Sequence, residues 1–197
     1  MLNWWLIATI AALALFGFFY IDKKLVVLVE KIRRQFHPSI HHFFGAVSFT
    51  PFVVSTLYII PAFFVFKFLD FFSVAALTLA CLLATGSAFI IKYLFKRVRP
   101  LGHTTYLGKI DSAFPSAHAA GSFVAAFTLA FFWPAWSIPF FALAILVAVS
   151  RIYLELHFFS DVMGGILLAY IMTAFALDSQ ILLFLGFGFF GDKGIVE

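Results

Sequence analysis

KYLFKRVRP at residues 92–100, PSAH at residues 115–118 and SRIYLELHFFSD at residues 150–161 decide how this chain is read. Each stretch sets cationic or proton-transferring side chains at the edge of a long apolar run. Lys92 and Arg99 follow one run, and Ser116 and His118 precede another. Arg151 closes a third, and His157 and Asp161 open a fourth. Ionisable groups at a membrane boundary are costly, so a use for them is the first reading.

The rest of the composition agrees with a membrane setting. Of 197 residues, 64% are hydrophobic and 11% charged, with a mean hydropathy of +1.08. A soluble domain of this size cannot hide that much apolar surface. The formal net charge of +4 is concentrated in a few loops, which argues against a general nucleic-acid surface. Cys81, the one cysteine, excludes an internal disulfide and reads as a small buried apolar residue. The apolar N-terminus lacks a basic lead and a small-residue cleavage site, so it reads as a retained first span.

Hydropathy predicts an all-α, polytopic integral membrane protein with six transmembrane helices. They are placed at residues 2–20, 46–66, 71–95, 116–133, 137–156 and 159–177. Helices are the open choice in lipid, because each backbone polar group must be satisfied within its own segment. Between the first two spans, Leu25, Leu28, Val29, Ile32 and Phe36 recur at helical spacing among five basic residues, the pattern of an interfacial helix. The tail at residues 180–191 is too short to span and reads as interfacial or re-entrant. No linker or repeat divides the chain, so residues 1–197 form one domain. Odd spans end and even spans begin on one face, which brings all three stretches to one membrane surface.

The residue types there suit phosphoryl transfer. Lys92, Arg99 and Arg151 can neutralise non-bridging oxygens, the arginines by a bidentate fork. Ser116, Ala117 and the amides that follow open a helix, and helix N-termini bind anions. His157 is the expected nucleophile, forming a phosphohistidine. Asp161, four residues on, is expected to accept the proton of the second ring nitrogen and to raise the histidine's pKa. His118 remains as acid for the leaving alcohol and base for water. Lys96 and Arg97 read as side chains snorkelling to the interface. His41 and His42 are adjacent and read as an interfacial loop, and His103 could touch a headgroup. Glu155 reads either as a substrate contact or as a solvated helix end.

Together the three stretches resemble the pattern of the type 2 phosphatidic acid phosphatase and haloperoxidase superfamily. That pattern is Lys, six residues, Arg-Pro; then Pro-Ser-Gly-His; then Ser-Arg, five residues, His, three residues, Asp. Every element occurs here in order and spacing within residues 92–161, except that Ala117 stands where the family usually has glycine. The resemblance, to the membrane lipid phosphatase branch, implies the same residue roles with no metal or other cofactor. It implies a lipid phosphate monoester or diphosphate as substrate. Phosphatidic acid, phosphatidylglycerol phosphate, polyprenyl diphosphate and lipid A phosphate are the candidates. A lipid phosphotransferase using the same site is the nearest alternative, and a small transporter or scaffold with a vestigial site is the alternative from another class. The expected partners are the lipid substrate and the bilayer, without nucleic acid. Basic residues crowd the motif face, which the positive-inside rule would make cytoplasmic. Bacterial relatives place the site on the outer face of the plasma membrane, and that is the orientation expected here.

Overall fold

The computed structural model describes residues 3–48, 71–100 and 112–178, and every regular element among them is helical. Helix α1 (Trp4–Phe16) passes through a π-helical turn (Gly17–Ile21) into α2 (Asp22–Arg33). Residues 38–48 are helical and form α3. Then follow α4 (Phe71–Phe95), α5 (Ala117–Phe132), a 3-10 turn (Pro134–Trp136), α6 (Ser137–Tyr153) and α7 (Phe159–Ala176).

Among the described residues, four helical runs are long and apolar enough to cross a membrane: Trp4–Arg33, Ser73–Phe95, Pro134–Tyr153 and Phe159–Ala176. The protein is an integral membrane protein. The expected spans at 71–95, 137–156 and 159–177 correspond to α4, α6 and α7. The span at 116–133 corresponds to α5, whose 16 residues make it the shorter apolar helix. The expected span at 46–66 lies almost wholly outside the described residues, and the tail at 180–191 lies wholly outside them. The first span and the interfacial helix differ from expectation in being one run of 30 residues. Polarity changes at Asp22, but neither proline nor a capping glycine interrupts the backbone there, so the helix continues through the π turn. That turn delivers Asp22 into the bundle, where it is buried.

Helix starts and stops follow local chemistry. Asn3 caps α1, its Oδ1 accepting the amides of Trp5 at 3.1 Å and Leu6 at 3.2 Å. Lys96 ends α4 in the left-handed region (φ 45°), and Glu155 stands in the same region (φ 56°) just past α6. Left-handed residues turn a chain sharply off its helix axis. Both helices that carry site cations therefore hand over at once to the loops that complete the site.

Helix α5 packs on α4, α6 and α7, and α7 packs on α1, α4 and α5. Lipid supplies little hydrophobic drive between helices, so small residues that permit close approach do the work. Ala76, Ala80, Ala84 and Ala88 form a buried stripe on α4 at four-residue spacing. Helix α4 packs on α5 and α7, and Ala80 and Ala84 share a core cluster with Ala119 of α5 and Ala169 of α7. Large apolar side chains such as Leu82, Ile90, Leu94 and Ile138 point outward, as lipid contact requires. Gly165 marks the tightest crossing. A Cβ there would stand 2.5 Å from the Ser116 carbonyl oxygen and 3.2 Å from the Ala120 amide nitrogen, both backbone atoms that cannot swing away. Gly165→Ala should therefore push α5 off α7 and destabilise the protein by about 1–3 kcal/mol. Gly121→Ala meets nothing within 4 Å and should be neutral or stabilising. Thermal unfolding of the two variants in detergent checks this; equal midpoints would refute the crossing.

Candidate active site

The sequence-expected residues gather at one end of the bundle. Lys92 closes α4 and Arg99 follows it four residues past the helix end; Arg151 lies in the last turn of α6. Ser116 caps α5 and Asp161 sits in the first turn of α7. His157 occupies the short loop between α6 and α7, with only 2% of its surface exposed. Lys92, Arg99 and Arg151 are also buried, and all three lie close enough to act electrostatically on His157. His118, in the first turn of α5, is half-buried.

His157 is held by one hydrogen bond of clear geometry. Nδ1 lies 2.7 Å from the carbonyl oxygen of Ala113. A carbonyl only accepts, so Nδ1 carries the proton and Nε2 carries the lone pair. Here the structure departs from expectation. The Asp161 carboxylate approaches Nδ1 no closer than 3.9 Å and makes no hydrogen bond to it. The reason is that His157 precedes α7, so one-turn helical spacing does not apply between them. Asp161 Oδ2 instead accepts the Phe158 amide at 2.8 Å, and Oδ1 accepts from the Arg97 guanidinium at 2.5 Å. Its backbone carbonyl accepts the Ser116 amide at 2.9 Å, locking α7 to the start of α5.

The expected rise in the histidine's pKa is also reversed. Burial holds His157 well below the ordinary histidine range, and the Arg151, Arg99 and Lys92 cations push the same way. The Ala113 hydrogen bond acts in the opposite sense and is outweighed.

Each cationic phosphate-binding candidate has a neutral oxygen among its partners. Lys92 Nζ donates to the Ser112 carbonyl, and Arg99 reaches the Leu156 carbonyl at 3.3 Å. Arg151 donates to the Ser48 hydroxyl of α3. Ser116 Oγ accepts the Ala119 amide at 3.4 Å, after a cis Phe114–Pro115 bond. Ala117 enters α5 with ordinary negative φ, so the backbone here does not need the glycine of the family pattern.

Several residues at this end depart from their sequence readings, and Asp22 had none. Arg97, expected to snorkel, has a side chain only 18% exposed and bonded to Asp22, Ser160 and Asp161. Asp22 also accepts the Ser160 amide at 3.0 Å and its hydroxyl at 2.5 Å, tying α2 to α7. Glu155 is neither solvated nor exposed; it is buried and paired with Arg33 of α2. His41 lies on α3, stacked on Tyr153 at 5.6 Å and 2.9 Å from its hydroxyl, not in a loop. His103 lies outside the described residues. A signal for Asp22 did exist: a carboxylate directly after an apolar span is costly unless a cation answers it.

Among the described residues, a helical membrane bundle thus carries at one end a buried histidine close to three buried cations. Residues 72–181, more than half of the chain, match the PAP2 superfamily, and the protein belongs to that family. Two solved structures share the fold. One is a transmembrane PAP2-type phosphatidylglycerolphosphate phosphatase from Bacillus subtilis, 20% identical, with a TM-score of 0.66 over 88% of this chain and 91% of that one. The other is Aquifex aeolicus LpxE, 25% identical, with a TM-score of 0.64 over 81% of this chain and 96% of that one. No curated protein sequence matches this chain. Family membership supports a phosphatase, and the two neighbours share its fold.

The depressed histidine gives a direct test. A ring whose pKa is lowered stays neutral as pH falls through the ordinary value of about 6.5 and takes its proton only at lower pH. Titrating labelled histidines by NMR, with His157→Gln to assign the signal, should place the His157 midpoint below that value. A midpoint at or above it would contradict the electrostatic description.

Proposed function

We propose that the protein is a metal-independent lipid phosphatase acting through a phosphohistidine. The observation that carries this reading is the His157 ring, neutral, protonated on Nδ1 by its bond to Ala113, and surrounded by Lys92, Arg99 and Arg151. That environment attracts a phosphate and repels a metal cation. Nε2 attacks phosphorus in line while the three cations stabilise the charge on the non-bridging oxygens. The bond from phosphorus to the lipid oxygen breaks, and His118 gives that oxygen its proton. His118 then takes a proton from water, whose oxygen attacks phosphorus; the phosphorus–nitrogen bond breaks and phosphate leaves. Ser116 and Ala117 place the positive end of α5 beside the site.

A lipid phosphate monoester or diphosphate is the proposed substrate, because a site at the end of a lipid-facing bundle receives a headgroup while its chains stay in the bilayer. The phosphatidylglycerolphosphate phosphatase similarity adds support for a phospholipid monoester. We place the site on the outer face of a bacterial plasma membrane, following the family. Lys109→Cys should react with an impermeant maleimide on intact cells; reaction only after lysis reverses the orientation.

The central experiment uses labelled dioleoyl phosphatidic acid in mixed micelles. Wild-type protein should yield an acid-labile phosphoenzyme, release inorganic phosphate, retain activity in EDTA and be inhibited by orthovanadate. His157→Ala should lose both phosphoenzyme and turnover; retention of more than a few per cent of either ends its role as nucleophile. Transfer of label to a lipid alcohol instead of water would identify a phosphotransferase. His118→Ala should slow the lipid substrate far more than p-nitrophenyl phosphate, whose leaving group needs no proton. Equal losses on the two would make His118 a phosphate ligand.

A further inference from the structure

Arg97 reaches the His157 ring by two routes. The first is its main chain. The Arg97 carbonyl accepts the Ala113 amide at 2.8 Å, and the Ala113 carbonyl is the acceptor for His157 Nδ1 at 2.7 Å. The Arg97 amide donates to Ser112 Oγ at 2.8 Å, fixing the same segment. The second route is its side chain. One guanidinium nitrogen donates to Asp161 Oδ1 at 2.5 Å and to Ser160 Oγ at 2.6 Å. Asp161 Oδ2 in turn accepts the amide of Phe158, the residue after His157, at 2.8 Å. The other terminal nitrogen donates to Asp22 Oδ2 at 2.7 Å. The Phe158 and Phe18 rings cover the guanidinium at 4.3 Å and 4.8 Å.

Such an arginine is neither a snorkelling cation nor a phosphate ligand, since both terminal nitrogens are engaged by carboxylates. We infer that Arg97 is a positioning residue for His157: its guanidinium fixes the start of α7, and hence the His157 loop, against the Ala113 carbonyl, and braces both on Asp22 of α2. The effect on turnover rests on His157 being the nucleophile; the effect on the ring does not. Loss of the guanidinium leaves Asp22 and Asp161 as neighbouring buried carboxylates with no cation between them, so Asp161 no longer holds its present position. A nucleophile misplaced by about 1 Å costs on the order of 100-fold in rate.

The test uses full-length protein in detergent with dioleoyl phosphatidic acid, and 15N-histidine NMR of the His157 Nδ1 signal. Arg97→Gln should lower kcat by about 10- to 100-fold, with KM changed by less than about twofold. Arg97→Lys should restore part of kcat, since a point charge answers one carboxylate but not two. The Arg97→Gln/Asp161→Asn double variant should be no slower than the slower single, because both act through one carboxylate. The His157 Nδ1 signal should shift in Arg97→Gln. A raised KM with unchanged kcat, additive losses in the double variant, or an unmoved ring signal would each overturn the inference. If Arg97→Gln does not fold, Asp22→Asn removes one brace at constant volume. It should shift the ring signal and lower kcat by a smaller factor, and an unmoved signal there overturns the inference equally. A shifted ring with wild-type turnover would keep the clamp and remove His157 as nucleophile.

Discussion

Asp161 is the residue on which the rest of the site depends. Its backbone carbonyl holds the Ser116 amide, its Oδ2 holds the Phe158 amide, and its Oδ1 holds Arg97. Three separate elements meet there: the start of α5, the His157 loop and the segment after α4. A fully buried carboxylate demands such a set of donors, because an unanswered charge in this setting costs several kcal/mol. The demand works in reverse as a constraint. The observed arrangement satisfies both oxygens and the carbonyl, so Asp161 ties the site together without a hydrogen bond to the imidazole.

Much of this was legible in the residues, and the exceptions have a common cause. Hydropathy located α4, α6 and α7, since a long apolar run in lipid has one outcome. The spacing of Lys92, Arg99, Arg151 and His157 was enough to bring them to one surface, because each lies near the boundary of a long apolar run. Readings failed where the result turned on how a helix stops. Lys96 and Arg97 look alike in sequence, and Lys96 is exposed as expected. Yet Lys96 takes the left-handed turn, and the next side chain is thereby aimed inward. Glu155 repeats the pattern at the end of α6, where the turn buries a carboxylate that reads as solvated. The pairing of His157 with Asp161 failed for a similar reason. It presumed a helix that begins two residues too late to include the histidine. The continuity of α1 with α2 was hidden by a change in polarity that the backbone ignores.

Among the described residues, three acids of this surface are answered by cations that the sequence reading left outside the site. Asp22 and Asp161 both turn to Arg97, and Glu155 turns to Arg33. Lys92, Arg99 and Arg151 stand around the histidine instead, close enough to act on it electrostatically. The division also explains why α2 is continuous with the first span. Asp22 and Arg33 lie at its two ends, and each braces a different loop of the site, so a helix that lies beside the bundle end becomes part of its frame.

The same arrangement sets how the histidine's charge changes along the proposed reaction. In the free site, burial and three cations oppose a proton on His157, so Nε2 keeps its lone pair at neutral pH. Attack on phosphorus gives the ring positive character, which that environment would also oppose. The arriving phosphate removes the objection, because its negative oxygens offset the field of Lys92, Arg99 and Arg151 at the moment the ring needs it. Protonation by solvent brings no such anion and stays disfavoured. In the proposed reaction a histidine among cations is thus a poor base toward water and a nucleophile toward phosphate. The bond from Nδ1 to a neutral carbonyl, instead of a carboxylate, preserves that distinction: it orients the ring without inviting the proton that would silence it.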